Sequence, residues 1–280
     1  SNGSRNEKIE EVAGLLGRGD WVRLSLDAGS DTTFQAMHKP KGRGITLDQI
    51  CERARAVKQA SPAAQLGYSF VITWKGARRD DVRLVENLGE MEAAALRASD
   101  YGFDYISFKP FLTRAEAGAE VLDPAQAESR QEEVRARIRE GLERAARHAS
   151  SAFRVVESTN LRVYLDGTWT EFTRQPRECH MQALRQVISP LGTFNCPAHR
   201  GVTKAKVGGK SAWAGDGAEG ITGTARVLDQ FDASRECAQV TCLYNPVNHF
   251  LESLVAGGVN PSSALPQGEA PDDGSDDFFL

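Results

Sequence analysis

The sequence is short of cysteine, of long apolar runs and of charge of one sign, and each shortage excludes something. No run of about 18 apolar residues occurs, so no segment is expected to span a bilayer. The polar opening, Ser1 to Glu11, has neither the basic nor the apolar region of a secretory signal. Together these point to a cytoplasmic protein with no membrane partner. The net charge is -4, but the last twenty residues hold five acids and no base, which leaves the remainder close to neutral. Neither a nucleic-acid-binding stripe nor a membrane-seeking face is expected from that balance. The five cysteines stand at 51, 179, 196, 237 and 242, one in the first 178 residues and four within a short stretch near the end. Without a sign of export, such clustering favours a metal over disulfides.

What is present alternates in type. Asn6 to Leu16 reads as a helix and 21–29, "WVRLSLDAG", as a buried strand. Residues 46–60 place Ile50, Ala54 and Val57 on one helical face, and "LGYSFVITW" (66–74) follows as a second strand. Residues 80–102 read as a helix closed by Gly102, then "FDYISFKP" (103–110) as a third strand. One helix in each gap is the repeat of parallel βα units, whose strands are apolar almost throughout because both sheet faces are covered. Residues 124–149 form a helix with Val134, Ile138, Leu142 and Ala145 on one stripe and charged i,i+4 pairs on a solvated face.

Beyond that helix the pattern changes. "FRVVES", "LRVYLDGTWTEF" and "LRQVISPLGTFNCPA" read as short antiparallel strands turning at Asp166-Gly167 and Leu191-Gly192. A glycine-rich loop is expected from Val207 to Gly223, with two short helices near 223–233 and 246–256 flanking the last cysteine pair. The fold class is therefore α/β, with a boundary near residue 150. Residues 1–150 form a parallel βα part, 151–258 a small α+β module bearing the cysteines, and 259–280 a disordered acidic tail. Three parallel strands close neither a barrel nor a comfortable open sheet, and the chain opens on "SNGS", a turn that ends a strand. A preceding strand-bearing segment is expected.

Chemistry in βα folds collects at the carboxyl ends of strands. Those ends carry Ser25 and Asp27, Thr73 and Lys75, and Ser107 and Lys109. Ser25 and Asp27 alternate along one strand and share a face, where a hydroxyl and a carboxylate need a polar partner or ligand. Alternatively, Asp27 caps the following "GSDTTF". Lys109 suits a Schiff base with a carbonyl substrate, a point charge for an anion, or plain contact with solvent.

Cys179 and Cys196 have sixteen residues between them, including a hairpin turn, and Cys237 and Cys242 have four, in a loop. Four thiolates from two segments suffice for tetrahedral zinc or an iron–sulfur cluster. Neither pair has the tight CxxC spacing of a zinc ribbon, and the wider spacing suits the larger cluster better. His180 and His199 adjoin two of the cysteines and, with four thiols available, are expected beside the site or at the surface. Cys51, alone on an amphipathic helix, is expected to be a core residue. The glycines from 208 to 223 lack GxxxxGK[ST] spacing.

These residues resemble a known family. "SNGS", a helix, and then "VRLSLDAGSDTTFQAMH" are similar to the fourth-strand region of radical SAM enzymes, and "LGYSFVIT" and "GFDYISFKP" to their fifth and sixth strands. Cys179, Pro190, Gly192 and Cys196 resemble the ribbon of the auxiliary-cluster extension called SPASM or twitch, with one spacing a residue shorter. The resemblance implies the C-terminal half of a partial (βα)6, TIM-like barrel in which S-adenosylmethionine serves hydrogen abstraction. It implies that Asn2, Ser25 and Asp27 lie near S-adenosylmethionine, and that Cys179, Cys196, Cys237 and Cys242 ligate one auxiliary [4Fe-4S] cluster of the shorter, twitch type. A small-molecule or peptide substrate and a reductant protein would be the partners. The family's CxxxCxxC loop, which holds the radical-generating cluster, is absent from this sequence, so these 280 residues are not expected to initiate radical chemistry alone. The other expectations left open are an aldolase-like βα enzyme using Lys109 with a structural zinc, and a non-catalytic metal-binding module.

Overall fold

The structure, a computed structural model, describes residues 1–40, 44–79, 82–115, 117–122, 128–214 and 217–258. Among these the chain divides into two compact units, 1–111 with 128–165, and 112–122 with 166–258. The expected acidic tail, 259–280, lies outside the described residues.

The first unit is mixed α/β. It runs α1 (Asn6–Glu10), β1 (Trp21–Ser25), α2 (Asp31–His38), α3 (Leu47–Ala60), β2 (Gln65–Ile72), α4 (Met91–Asp100), β3 (Tyr105–Pro110), α5 (Glu128–Ala146), β4 (Arg154–Glu157) and α6 (Thr159–Asp166). The four strands form one parallel sheet in the order β1-β2-β3-β4, so each crossover moves the chain over by a single strand. Thr46 and Gln49 make a capping box that starts α3, and α3 and α4 pack on the central strands.

The register makes the two sheet faces chemically unlike. Leu24, Tyr68, Phe70, Ile106 and Phe108 share the apolar face and are fully buried. On the other face Ser25 stands opposite Ser69, and Ser69 opposite Ser107, a row of hydroxyls across three strands, with Arg23 and Lys109 below and above it. Gly67 lies on this face because the Tyr105 ring crosses it: a Cβ at 67 would lie 2.2 Å from that ring.

Several expected elements differ. The helix expected over 6–16 breaks after Glu10 and resumes as a 3-10 turn, Ala13–Leu15, where Gly14 and Gly17 weaken a longer helix. The helix expected from residue 80 starts only at Met91. Asn87 is the reason: its side chain accepts from the Thr73 N–H at 2.7 Å and donates to the Asp27 and Val71 carbonyls, each at 2.8 Å, which pins the loop against the sheet. "FRVVES" is not antiparallel. It contains β4, whose Arg154–Glu157 pairs in parallel with Tyr105–Phe108, because α5 serves as one more crossover helix. "LRVYLD" is helical, not extended. Ser158 caps α6, and Leu161, Tyr164 and Leu165 bury at i, i+3 and i+4 spacing, which a short window disguises as alternation.

The second unit contains α7 (Met181–Leu184), β5 (Val187–Ser189), β6 (Gly192–Phe194), β7 (Lys206–Gly208), α8 (Ala218–Gln230), α9 (Ala233–Glu236) and α10 (Asn245–Gly257). β5 and β6 make the expected hairpin, with Pro190 and Leu191 at the turn, and β7 adds antiparallel to β6. The stretch expected as a glycine-rich loop from Val207 to Gly223 begins in β7 and ends in the first turns of α8. Gly223 lies inside α8 at the point where the helix crosses β7, and a Cβ there would sit 1.8 Å from the Val207 carbonyl oxygen. The core of this unit is small: Ala119, Val121, Ala205, Val207, Val227, Phe231, Ala233, Cys237 and Val240, with Cys179 and Cys242 packed against it.

Candidate metal centre

Each of the four clustered cysteines sits at or just beyond the end of an element. Cys179 precedes α7, Cys196 follows β6, Cys237 caps the C-terminus of α9, and Cys242 precedes α10, whose first turn carries Pro246. All four line one cavity together with Gln175, Arg185, Asn195, His199 and Asn248. The side chains close on one another. The cavity measures about 20 Å³, room for one water. Among the described residues, no three His, Cys, Asp or Glu side chains converge as ligands of a single ion.

The sulfurs are distributed among donors. The backbone N–H groups of Ala198 and His199 point at Cys196, and the Arg185 Nη2 lies 3.8 Å from that sulfur. The Tyr244 N–H serves Cys242, the Asn248 side-chain amide lies 3.5 Å from Cys179, and His199 Nε2 lies 3.4 Å from Cys237. Burial pushes the Cys196 thiol up, against the pull of those N–H groups and Arg185. Burial pushes Cys242 up to about 11. Cys237 is raised furthest, first by burial and then by Cys196, Cys179 and Cys242. Cys196, Cys237 and Cys242 therefore resist ionisation until a cation neutralises them, which is the condition for binding a soft metal.

Polar atoms around the cavity lack protein partners. Asn195, 1% exposed, has neither its Oδ1 nor its Nδ2 hydrogen-bonded; His199, also 1% exposed, has an unpaired Nδ1, and Arg185 an unpaired Nε. A buried amide with both ends unsatisfied is costly unless something polar meets it. The Arg185 guanidinium lies 4.2 Å over the Tyr244 ring, which fixes a positive charge beside the sulfurs. Burial lowers His199 to about 4, so its ring is neutral, and it packs edge-on against Phe231. The sulfur chemistry, the N–H donors and these orphaned atoms fit an iron–sulfur group or another soft-metal centre. His180 is elsewhere engaged, with Nε2 at 2.8 Å from Glu252. Cys51 is in the core with its thiol at about 12, as expected of a packing residue.

In the first unit, Asn2, Ser25 and Asp27 gather at the carboxyl end of β1. The Ser25 N–H donates to the Ser1 carbonyl at 2.8 Å, which brings the Asn2 turn beside it. Asn2 accepts from the Ser4 N–H and hydroxyl, and it lines a cavity of about 440 Å³ with Arg5, Phe34, His38 and Lys39. Asp27 does not cap α2; Ser30 does, accepting from the Thr33 N–H. Instead Asp27 takes a left-handed backbone, φ 53°, accepts from the Val71 N–H at 2.7 Å and faces His38 Nε2 at 3.4 Å. The hydrogen bond to Asp27 raises the His38 pKa against the effect of burial. Lys109 is lowered to about 8, first by burial and then by Arg23, with Asp27 opposing. Thr73 serves the loop instead, its hydroxyl donating to Val85 O.

Arg185, Asn195, Asn248 and His38 carried no motif that singled them out in the sequence. Only the adjacency of Asn195 to Cys196 hinted at its place. No protein-family model, no curated protein and no solved structure matches this chain.

Proposed function

We propose that this chain is the C-terminal portion of a radical S-adenosylmethionine enzyme, with its first unit part of a (βα)6, TIM-like barrel and its second a twitch-type module for an auxiliary [4Fe-4S] cluster. The observation that carries the reading is the cavity lined by four cysteines from four element ends, together with Asn195, His199 and Arg185 atoms that have no protein partner. A parallel sheet in sequential strand order, with one face given to Ser25, Ser69, Ser107 and Lys109, is what a barrel wall facing a polar ligand requires. Cys179, Cys196, Cys237 and Cys242 would hold the cluster, and Asn2, Ser25 and Asp27 would contact S-adenosylmethionine. When bound, such a cluster supplies one-electron chemistry and S-adenosylmethionine supplies hydrogen abstraction. The chain's own contribution is positional: the Ala198, His199 and Tyr244 N–H groups and Arg185 favour thiolate over thiol, and the apolar core shields Cys237 from water. The substrate class is a small molecule or a peptide, with a reductant protein as partner. No helix among the described residues is long and apolar enough to cross a membrane.

Anaerobic reconstitution with iron and sulfide tests this reading. Visible charge-transfer absorption and equal amounts of bound iron and sulfide are expected in the wild type, both lost in Cys196→Ala. Stoichiometric, colourless zinc under the same conditions would overturn it. One observation favours a second reading, an aldolase-like enzyme: burial brings Lys109 to about 8, within reach of the free amine a Schiff base needs. Borohydride trapping of a carbonyl substrate that persists in Lys109→Ala would end that alternative.

A further inference from the structure

The four sulfurs of the cavity are not equally served. Cys196 and Cys242 receive backbone N–H groups and Cys179 receives Asn248, whereas the donor found for Cys237 among the described residues is the His199 ring alone. His199 also addresses two of the sulfurs with hydrogen-bond donors, since its backbone N–H points at Cys196. Its ring has little freedom: it is buried edge-on against Phe231 at 5.1 Å, and the His199 carbonyl is held by the Val202 N–H at 3.0 Å.

We propose that His199 is a positioning residue for the metal centre, its Nε2–H donating to the Cys237 sulfur so that removing this hydrogen bond lowers the reduction potential of the bound cluster. The inference rests on the cluster reading above. A metal-bound thiolate only accepts hydrogen bonds, so the nitrogen 3.4 Å from Cys237 must carry the proton, which leaves Nδ1 as the lone-pair nitrogen, an acceptor that no protein donor meets. The distance is that of an N–H···S hydrogen bond. The orientation also argues against iron ligation by Nε2, because that nitrogen is directed at a sulfur that is itself a ligand. Hydrogen bonds to cluster sulfurs stabilise the more negative, reduced state and so raise the potential. With one donor for Cys237, the effect of losing it should be read in full and not be masked by neighbours.

The test compares the full-length wild type with His199→Phe, which fills the space beside Phe231 without a donor, and His199→Gln, which keeps an N–H. Each protein is reconstituted anaerobically, and its cluster is titrated with dithionite and followed by electron paramagnetic resonance. All three are expected to bind iron and sulfide alike, with His199→Phe titrating at a lower potential and His199→Gln restored to the wild-type value. An unchanged potential in loaded His199→Phe overturns the inference and leaves the cluster reading intact. Loss of the cluster in both variants also overturns it, by making His199 a ligand or a packing element. So does a nitrogen-15 resonance of Nε2 shifted by direct metal binding in the wild type. Wild-type protein that takes up no iron sinks the cluster reading, and this inference with it, before any variant is compared.

Discussion

The two units solve the problem of a centre in opposite ways. The first is organised around apolar side chains of the sheet, with Leu24, Tyr68, Phe70 and Phe108 fully buried and matched strand to strand. The second has a small core in which three of the nearest neighbours are thiols, and its middle holds an unsatisfied asparagine, an arginine and a histidine. A sheet of the first kind needs no bound group at its centre, because burial of apolar area drives it. A centre of the second kind is left short of stabilisation by its own polar groups, and a bound group would supply what is missing.

The largest expected effect breaks that comparison if it fails. Removing iron from the reconstituted protein with a chelator should destabilise the second unit by several kcal/mol, about the scale of linkage to a tightly bound metal. Amide exchange should then become fast at Val207, Val227 and Phe231 while Tyr68 and Phe108 stay protected. Equal loss of protection in both units would show that the sheet depends on the metal as well. Next in size is Phe108→Ala, which removes a fully buried ring packed edge-on against Phe70 at 5.3 Å. It should cost about 3–5 kcal/mol in denaturant unfolding of the first unit and leave cluster absorption unchanged. A bleached cluster in this variant would mean that the two centres are not independent.

Legibility in the sequence divides along the same line. Strands β1, β2 and β3 could be read because they are apolar almost throughout, and helix α3 because Ile50, Ala54 and Val57 recur on one face. What could not be read depended on partners distant in sequence. Asn87 delays α4 by bonding to Thr73, Val71 and Asp27, and nothing local to 80–90 announces that. The same holds for "LRVYLD", where tertiary burial of Leu161, Tyr164 and Leu165 chose helix over strand. In the site, the four cysteines declared themselves by type and scarcity. Asn195, Arg185 and Asn248 did not, because residues that surround a centre are ordinary in kind and become special only when folded around it.

Gly223 offers a smaller test of the second unit. A methyl group there meets the Val207 carbonyl oxygen at 1.8 Å, and since that atom belongs to the backbone, α8 must shift off β7. Gly223→Ala should therefore cost about 1–3 kcal/mol despite its better helix propensity. The loss should be seen as a lowered midpoint in the metal-free protein. A stabilised variant would show that α8 does not cross β7 so closely.

The smallest expected effect concerns pH and belongs to the first unit alone. Asp27 raises the His38 pKa above its ordinary value of about 6.5, against the effect of burial. A folded-state pKa above the unfolded one means that the native state binds the proton more tightly, so the contribution is complete below about pH 6.5 and fades as pH rises through the folded value. His38→Gln should therefore narrow the gap between the unit's stability at pH 5.5 and at pH 8.5, and Asp27→Asn should do the same by removing the partner. Because Asp27 also holds the Val71 N–H at 2.7 Å, only the pH-dependent part of its effect speaks to the histidine. A loss in Asp27→Asn that is the same at both pH values would assign the carboxylate to the backbone of β2, with His38 a bystander tilted against Phe34.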